Sequence, residues 1–407
     1  MTDIAAVRAV IEQHFPSLWP AVNLGLATCA TLLLKDNANP VALIYVGPPS
    51  AGKTTVATMF ETAVYKGQLI CYRSDKFTPA AFVSQSAKAN DKQLSRIDLL
   101  PRIKHKVLLT PELSTIFRGK QDELVERFSI ITRVMDGQGL SIDGGTHGRR
   151  NYTGDYLFAW IGCTTPLDSS VWGVMAQLGS RLFFLVMDTV AQPSLEDLIG
   201  ANVQSVSRPE SIQACQEAVK LHLEAVFTEH EGVKGREWKR QDDPREVLDG
   251  IARCAQLLSV MRTPVGSSED EKPQPESAHR ANAVLYNLAR GHALVHGRTN
   301  LIADDLTVIG RVTLSSMPAE RRAVLSAFHQ TGKKELTVSD VVDATEVSRH
   351  RAENIMQQLD RLGIMRFSKE GNGKPAHLSL ADDWKWCVED PFASMLQGST
   401  HLAKIGG

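Results

Sequence analysis

Lys53 and Thr54 close the stretch Gly47-Pro48-Pro49-Ser50-Ala51-Gly52-Lys53-Thr54, which fills G-x-x-x-x-G-K-[ST] at every fixed position. The residue types suit phosphate chemistry. Gly47 and Gly52 let the backbone curl until its N–H groups face inward as an anion cradle. The start of the following helix adds partial positive charge. Lys53 would reach the β- and γ-phosphates of a nucleoside triphosphate, and the Thr54 hydroxyl would ligate Mg²⁺. The expectation is ATP or GTP binding with Mg²⁺, through Gly47, Pro48, Pro49, Ser50, Ala51, Gly52, Lys53, Thr54 and Thr55. Further on, an apolar run over 106–110 ends in Pro111-Glu112-Leu113. An acid at the carboxyl end of such a strand can polarise a water and support the metal shell. Glu112 is the candidate catalytic acid and, with Thr54, the candidate metal ligand. Pro111 stands where a second acid is expected, so metal ligation rests on Thr54 and waters, or on Asp75. A turn-capping role is the competing reading of Glu112.

These groups need a frame. Residues 41–46 are apolar, β-branched and aromatic, which predicts a buried strand, and a helix is predicted over 54–66. Ile4, Val7, Val10, Ile11 and Phe15 fall at helical spacing, so residues 1–39 read as two helices broken at Pro16 and Pro20. Strands are predicted over 69–72, 106–110, 156–163 and 182–187, with helices over 121–135 and about 169–178. Between 136 and 152 two extended arms flank a Gly-rich tip carrying His147, Arg149 and Arg150, a hairpin signal. Residues 190–266 read as helical. The basic cluster at 235–240 reads as a solvated face, and 263–275 as an exposed loop. A long helix opens near Arg280 and runs to about 296; another starts near 299.

From 319 the pattern changes. A helix, a short strand, a helix, a turn and a second helix ended by Gly363 precede two strands over 364–368 and 376–380. That is the order of a winged helix-turn-helix. Ser348, Arg349, His350 and Arg351 open the would-be recognition helix, and Lys369 and Lys374 sit on the wing, so DNA contact is expected there. Glu346 and Glu353 dilute the charge.

Bulk properties set limits. At 407 residues the chain is long enough for two or three domains. A net charge of −1 gives no global pull toward nucleic acid or membrane, so DNA contact must come from local patches. The cysteines are scattered with no C-x-x-C pair, which argues against disulfides or a zinc site and suits a reducing cytoplasm. The first residues do not form a signal peptide, and no apolar run approaches a membrane span.

The arrangement resembles an AAA+ ATPase: five strands, the phosphate loop on the first, an acid on the third, a polar residue ending the fourth and an arginine just before the fifth. The hairpin before the fourth strand resembles the pre-sensor-1 hairpin group, and within it the ATPase module of the minichromosome-maintenance (MCM) proteins. The resemblance spans about 40–316. It implies an α/β P-loop fold with a parallel sheet over 40–190 and a helical lid over 191–316. The winged helix-turn-helix takes 319–385 and a tail 386–407. It implies that Thr164 or Thr165 takes the sensor-1 role, usually an Asn. Arg181 would be the arginine finger reaching a neighbour's ATP, and Arg280 would be sensor 2. The function implied is an oligomeric, hexamer-like ring that hydrolyses ATP to move DNA, with the tip at His147, Arg149 and Arg150 gripping a strand. The alternative is an initiator, loader or switch that binds DNA, hydrolyses ATP slowly and recruits a protein partner through the winged helix. A small-molecule kinase has no place for the long chain after the fifth strand.

Overall fold

The computed structural model describes residues 3–83, 93, 96–144, 148–179, 181–187, 195–196, 199–200, 207–266, 270–369 and 376–389. Helix α1 (Ile4–His14) opens on Asp3, whose carboxylate accepts the Ala5 N–H at 3.0 Å. Helix α2 (Trp19–Ala30) is buried along most of its length. Strand β1 (Val41–Val46) is buried at every position, as a strand covered on both faces must be. The Tyr45 hydroxyl donates to the Ala21 carbonyl at 2.8 Å and so ties β1 to α2.

Helix α3 (Lys53–Thr58) follows the loop and is shorter than the predicted 54–66. After Thr58 the chain turns away and forms a hairpin of β2 (Val64–Tyr65) and β3 (Gln68–Leu69). Two causes are visible. Thr54, Thr55, Val56, Thr58 and Thr62 are β-branched and weaken a helix. Lys66 and Gly67 both have positive φ, 49° and 75°, which suits a two-residue hairpin turn.

The chain continues through β4 (Cys71–Arg73), α4 (Leu99–Ile103), β5 (Val107–Thr110) and α5 (Gln121–Val134). Helix α5 buries Leu124, Phe128, Ile131 and Val134 along one stripe and carries Asp122 and Glu123 in its first turn. Next come β6 (Gly139–Gly144), β7 (Gly148–Thr153), β8 (Ala159–Thr164), α6 (Ser169–Leu178) and β9 (Leu182–Val186).

Five strands form one parallel sheet in the order β4-β5-β8-β1-β9. Alternation assigns the faces. Leu43, Tyr45, Ile161, Cys163, Phe183 and Leu185 pack with α2 and α3. Ala42, Ile44, Val46, Trp160, Phe184 and Val186 pack with α5 and α6. The chain leaves β1 toward one edge and leaves β8 toward the other, so a crevice opens at the carboxyl ends of these neighbours.

The predicted hairpin exists: β6 pairs antiparallel with β7, Asp143 opposite Arg149 and Ile142 opposite Arg150. Arg149 and Arg150 therefore belong to the second arm rather than the tip. His147 lies outside the described residues.

Helices α7 (Arg208–Glu229), α8 (Arg245–Arg262), α9 (His279–Val295) and α10 (Ala303–Ser315) follow. A capping box between Ser207 and Glu210 starts α7. Helices α2 and α9 cross so closely that a Cβ on Gly291 would lie 2.2 Å from the Ala27 carbonyl oxygen. The basic cluster before α8 is only partly a solvated face. Trp238 is buried and its indole N–H donates to Asp243 at 2.9 Å.

The last unit is α11 (Ala319–Thr331), β10 (Glu335–Thr337), α12 (Val338–Thr345), α13 (Arg349–Arg361), β11 (Met365–Lys369) and β12 (Ala376–Leu380). Its sheet is antiparallel in the order β10-β12-β11. The end of α10, just before this unit, is tied to the large sheet. The Phe184 N–H of edge strand β9 donates to the Ser316 hydroxyl at 2.8 Å. The buried Arg262 donates to the carbonyls of Ser316 (2.7 Å) and Leu182 (2.9 Å). These contacts cover an edge that would otherwise offer unpaired backbone groups. Residues 386–388, read as tail, belong to a 3-10 turn over Asp382–Val388 in which Cys387 is buried. All six cysteines are free and buried. Among the described residues no helix is long and apolar enough to cross a membrane.

Candidate functional site

The loop between β1 and α3 has two left-handed residues, Ser50 (φ 66°) and Gly52 (φ 83°). Such conformations turn successive N–H groups to one concave side. Gly52 is required twice over, because a Cβ there would also lie 2.7 Å from Leu18 Cδ2. Lys53 folds back over the loop, its Nζ donating to the carbonyls of Gly47 (2.7 Å) and Pro48 (2.6 Å). Burial lowers the Lys53 pKa, while Glu112 and Cys163 pull it up. The Cys163 thiol, pushed up to about 12 chiefly by burial, stays protonated. Thr54 is exposed on the first turn of α3, and Thr55 is buried with its hydroxyl accepting from Arg208 at 3.2 Å. Arg208, at the start of α7, is a loop neighbour that no local sequence pattern indicates.

Glu112 and Thr164 stand on the neighbouring strands. The Leu113 N–H donates to the Cys163 carbonyl at 2.8 Å, so the chain after β5 stays laced to the end of β8 and holds Glu112 there. The Glu112 carboxylate is exposed and accepts the Ser114 N–H at 2.7 Å, the turn-capping contact. Its charge also reaches Lys53, so both readings of Glu112 have a physical basis. Thr164 pairs in register with Val46 and its carbonyl accepts the Gly47 N–H at 3.2 Å. Its hydroxyl is buried and has no hydrogen-bond partner among the described residues. Orphaned buried hydroxyls are uncommon and call for an explanation. Thr165, by contrast, accepts from Arg118 at 3.4 Å.

Asp75 is not part of this constellation. It pairs with Arg73 at 2.7 Å beyond edge strand β4, three strand spacings or about 14 Å from β1. Among the described residues no three His, Cys, Asp or Glu side chains cluster to hold a metal by themselves. Mg²⁺ needs no such cage, since one or two protein oxygens plus phosphates and waters suffice. The Thr54 hydroxyl and the Glu112 carboxylate, both at the carboxyl end of the sheet, fit that requirement.

Arg181 and Arg280 meet at the opposite rim. Arg280 donates to Asp136 Oδ1 at 2.6 Å, and Arg181 Nε to the same oxygen at 3.4 Å. Arg133 reaches Oδ2 at 3.3 Å. Burial, with Arg280 beside it, lowers the Arg181 pKa. Leu182, the residue after Arg181, registers with Ala42 near the start of β1. The phosphate loop follows the other end of β1, about 20 Å along the strand. Arg280 therefore does not stand over this chain's own loop, the place expected for a sensor 2 acting within one subunit. Asp136 is the residue that gathers both cations, and no local motif signals it.

On the C-terminal unit, Ser348 caps α13 by accepting the Arg351 N–H. Arg349 is exposed, with Glu353 at 3.6 Å, and His350 is exposed beside Asn354 at 3.5 Å. Arg351 is already engaged, with Nε and NH2 on the Glu320 carboxylate at 3.0 and 2.7 Å. Lys369 is exposed at the end of β11, and Lys374 lies outside the described residues.

No protein-family model matches the chain, and a search of curated proteins finds no relative.

Proposed function

We propose that the chain binds and hydrolyses ATP, as an AAA+-type oligomer that acts on DNA. The observation that carries the reading is the convergence at the carboxyl end of β1, β8 and β5. There a loop with two left-handed residues and a lysine meets an unpartnered Thr164 hydroxyl and an exposed Glu112. Bound Mg²⁺ would neutralise charge on the phosphates. The loop amides and Lys53 bind and orient the phosphates, Glu112 takes up a proton from water, and Thr164 orients that water.

The far-rim position of Arg181 and Arg280 supports sharing of sites between subunits. Neither side chain spans the length of β1 to its own loop, and both are preorganised on one carboxylate. A neighbour's bound phosphates would draw them off Asp136. The C-terminal unit, with its capped α13 and paired β11 and β12, is read as a winged helix-turn-helix. Arg349, His350 and Lys369 are exposed on it and available to a phosphate backbone.

Binding of a fluorescent ATP analogue tests the reading, followed by steady-state hydrolysis with and without DNA. Lys53→Ala should abolish binding. Glu112→Gln should keep binding and cut turnover at least a hundredfold. Wild-type binding that survives Lys53→Ala would contradict the site. A switch with slow hydrolysis is the second reading, favoured by the Ser114 amide that holds the Glu112 carboxylate. It predicts nucleotide-dependent assembly on DNA with turnover that DNA does not raise.

A further inference from the structure

Arg322 is a buried cation with no counter-ion among the described residues. It lies in the first turns of α11 and is 6% exposed. Among the described residues its guanidinium has no hydrogen-bond or ion-pair partner, and burial pushes its pKa down to about 10. Nearby arginines show what this fold does with such a group when the role is structural. Arg321 donates to the carbonyls of Met261 and Thr263, both at 2.7 Å, and Arg262 to those of Ser316 and Leu182. Arg322 instead lines a cavity of about 60 Å³ with Val46, Gly47, Pro166, Leu167 and Trp172. That is room for a few waters or a small anionic group.

The position is informative. Gly47 opens the phosphate loop, and Pro166 follows shortly after Thr164. Val46 and Thr164 are register partners, so their side chains share a face of the sheet. The buried Thr164 hydroxyl and the Arg322 guanidinium, which faces the cavity, therefore stand on the same face at the same end. An unpaired charge is among the costliest groups a fold can bury, and a fork of N–H donors matches phosphate oxygens.

We infer that Arg322 is a ligand of the terminal phosphate of the bound nucleoside triphosphate, and that this bond ties α11 to the nucleotide state. The inference rests on the phosphate-loop reading above. Loss of the terminal phosphate removes the anion that meets Arg322. The start of α11 then loses an anchor, and the C-terminal unit that α11 carries senses the change.

Calorimetric titration of the full chain with ATPγS and ADP, beside thermal unfolding without nucleotide, tests this in the wild type, Arg322→Met and Arg322→Gln. Both variants should unfold at or above the wild-type temperature, because no bond is lost. ATPγS affinity should fall at least tenfold and ADP affinity less than twofold. Wild-type affinity for ATPγS in the variants would overturn the inference and leave the loop reading standing. So would an equal loss for ADP, or a clear drop in unfolding temperature. A wild type that binds neither nucleotide would overturn both.

Discussion

The Thr164 hydroxyl is buried at the end of β8 with no hydrogen-bond partner among the described residues. In the absence of ligand such a group costs stability, so its retention points to use. Thr164→Val removes the hydroxyl and keeps the shape. Unfolding of the free protein should be unchanged or up to about 1 kcal/mol more favourable to the folded state. ATP turnover should fall tenfold or more, read by phosphate release. Asp136 is the reverse case. Asp136→Asn leaves Arg181 and Arg280 without their shared counter-charge, and chemical denaturation should show a loss of about 1–3 kcal/mol, discounted for partial exposure. The loop over 47–54 is legible in sequence because its pattern lies in consecutive residues. Asp136 and Arg322 are not, because each gains meaning from elements far along the chain: α9 and β9 for one, β1 and β8 for the other.

Elements were legible where period and composition agreed. Strands β1 and β9 and helices α6 and α13 lie within a residue or two of their predicted bounds. Helix α3 was not, since local β-branching and a Lys66-Gly67 turn overrode a helical reading. The α2–α9 layer yields a pH prediction. His296, at the end of α9, has Nε2 3.1 Å from Asn23 Oδ1 on α2, and its ring centroid lies 4.3 Å from that of His292. Burial first, then His292 and Arg298, hold its pKa down to about 4, against the upward pull of Asp305. The folded state therefore favours neutral His296 over the ordinary value of 6.5. Its contribution to stability is complete above that value and is lost as pH falls through about 4. His296→Gln should flatten the stability curve across this window, measured by urea unfolding at successive pH values.

At the scale of the molecule, the fold separates the two parts of the proposed reaction. The phosphate loop lies at the carboxyl end of the sheet, and the arginine pair at the other rim. The C-terminal unit offers Arg349, His350 and Lys369, while Arg351 is spent on Glu320. Arg349→Ala with Lys369→Ala should weaken DNA binding several-fold and lower its salt dependence. Arg351→Ala should chiefly lower the stability of the unit. Fluorescence anisotropy across salt concentrations, with thermal unfolding alongside, separates the two. Sequence alone put the loop after β1, Glu112 after β5 and Arg181 before β9, but not the distance between Arg181 and its own loop, which is a property of sheet order and register.

ATP hydrolysis rate against protein concentration tests the shared site most directly, for the wild type, Arg181→Ala, and an equal mixture of Arg181→Ala with Lys53→Ala. The wild-type specific rate should rise cooperatively with concentration, and each variant alone should stay near background. The mixture should recover part of the activity, because intact loops meet intact arginines across subunit boundaries. A specific rate flat in concentration and unchanged by Arg181→Ala would contradict the shared site.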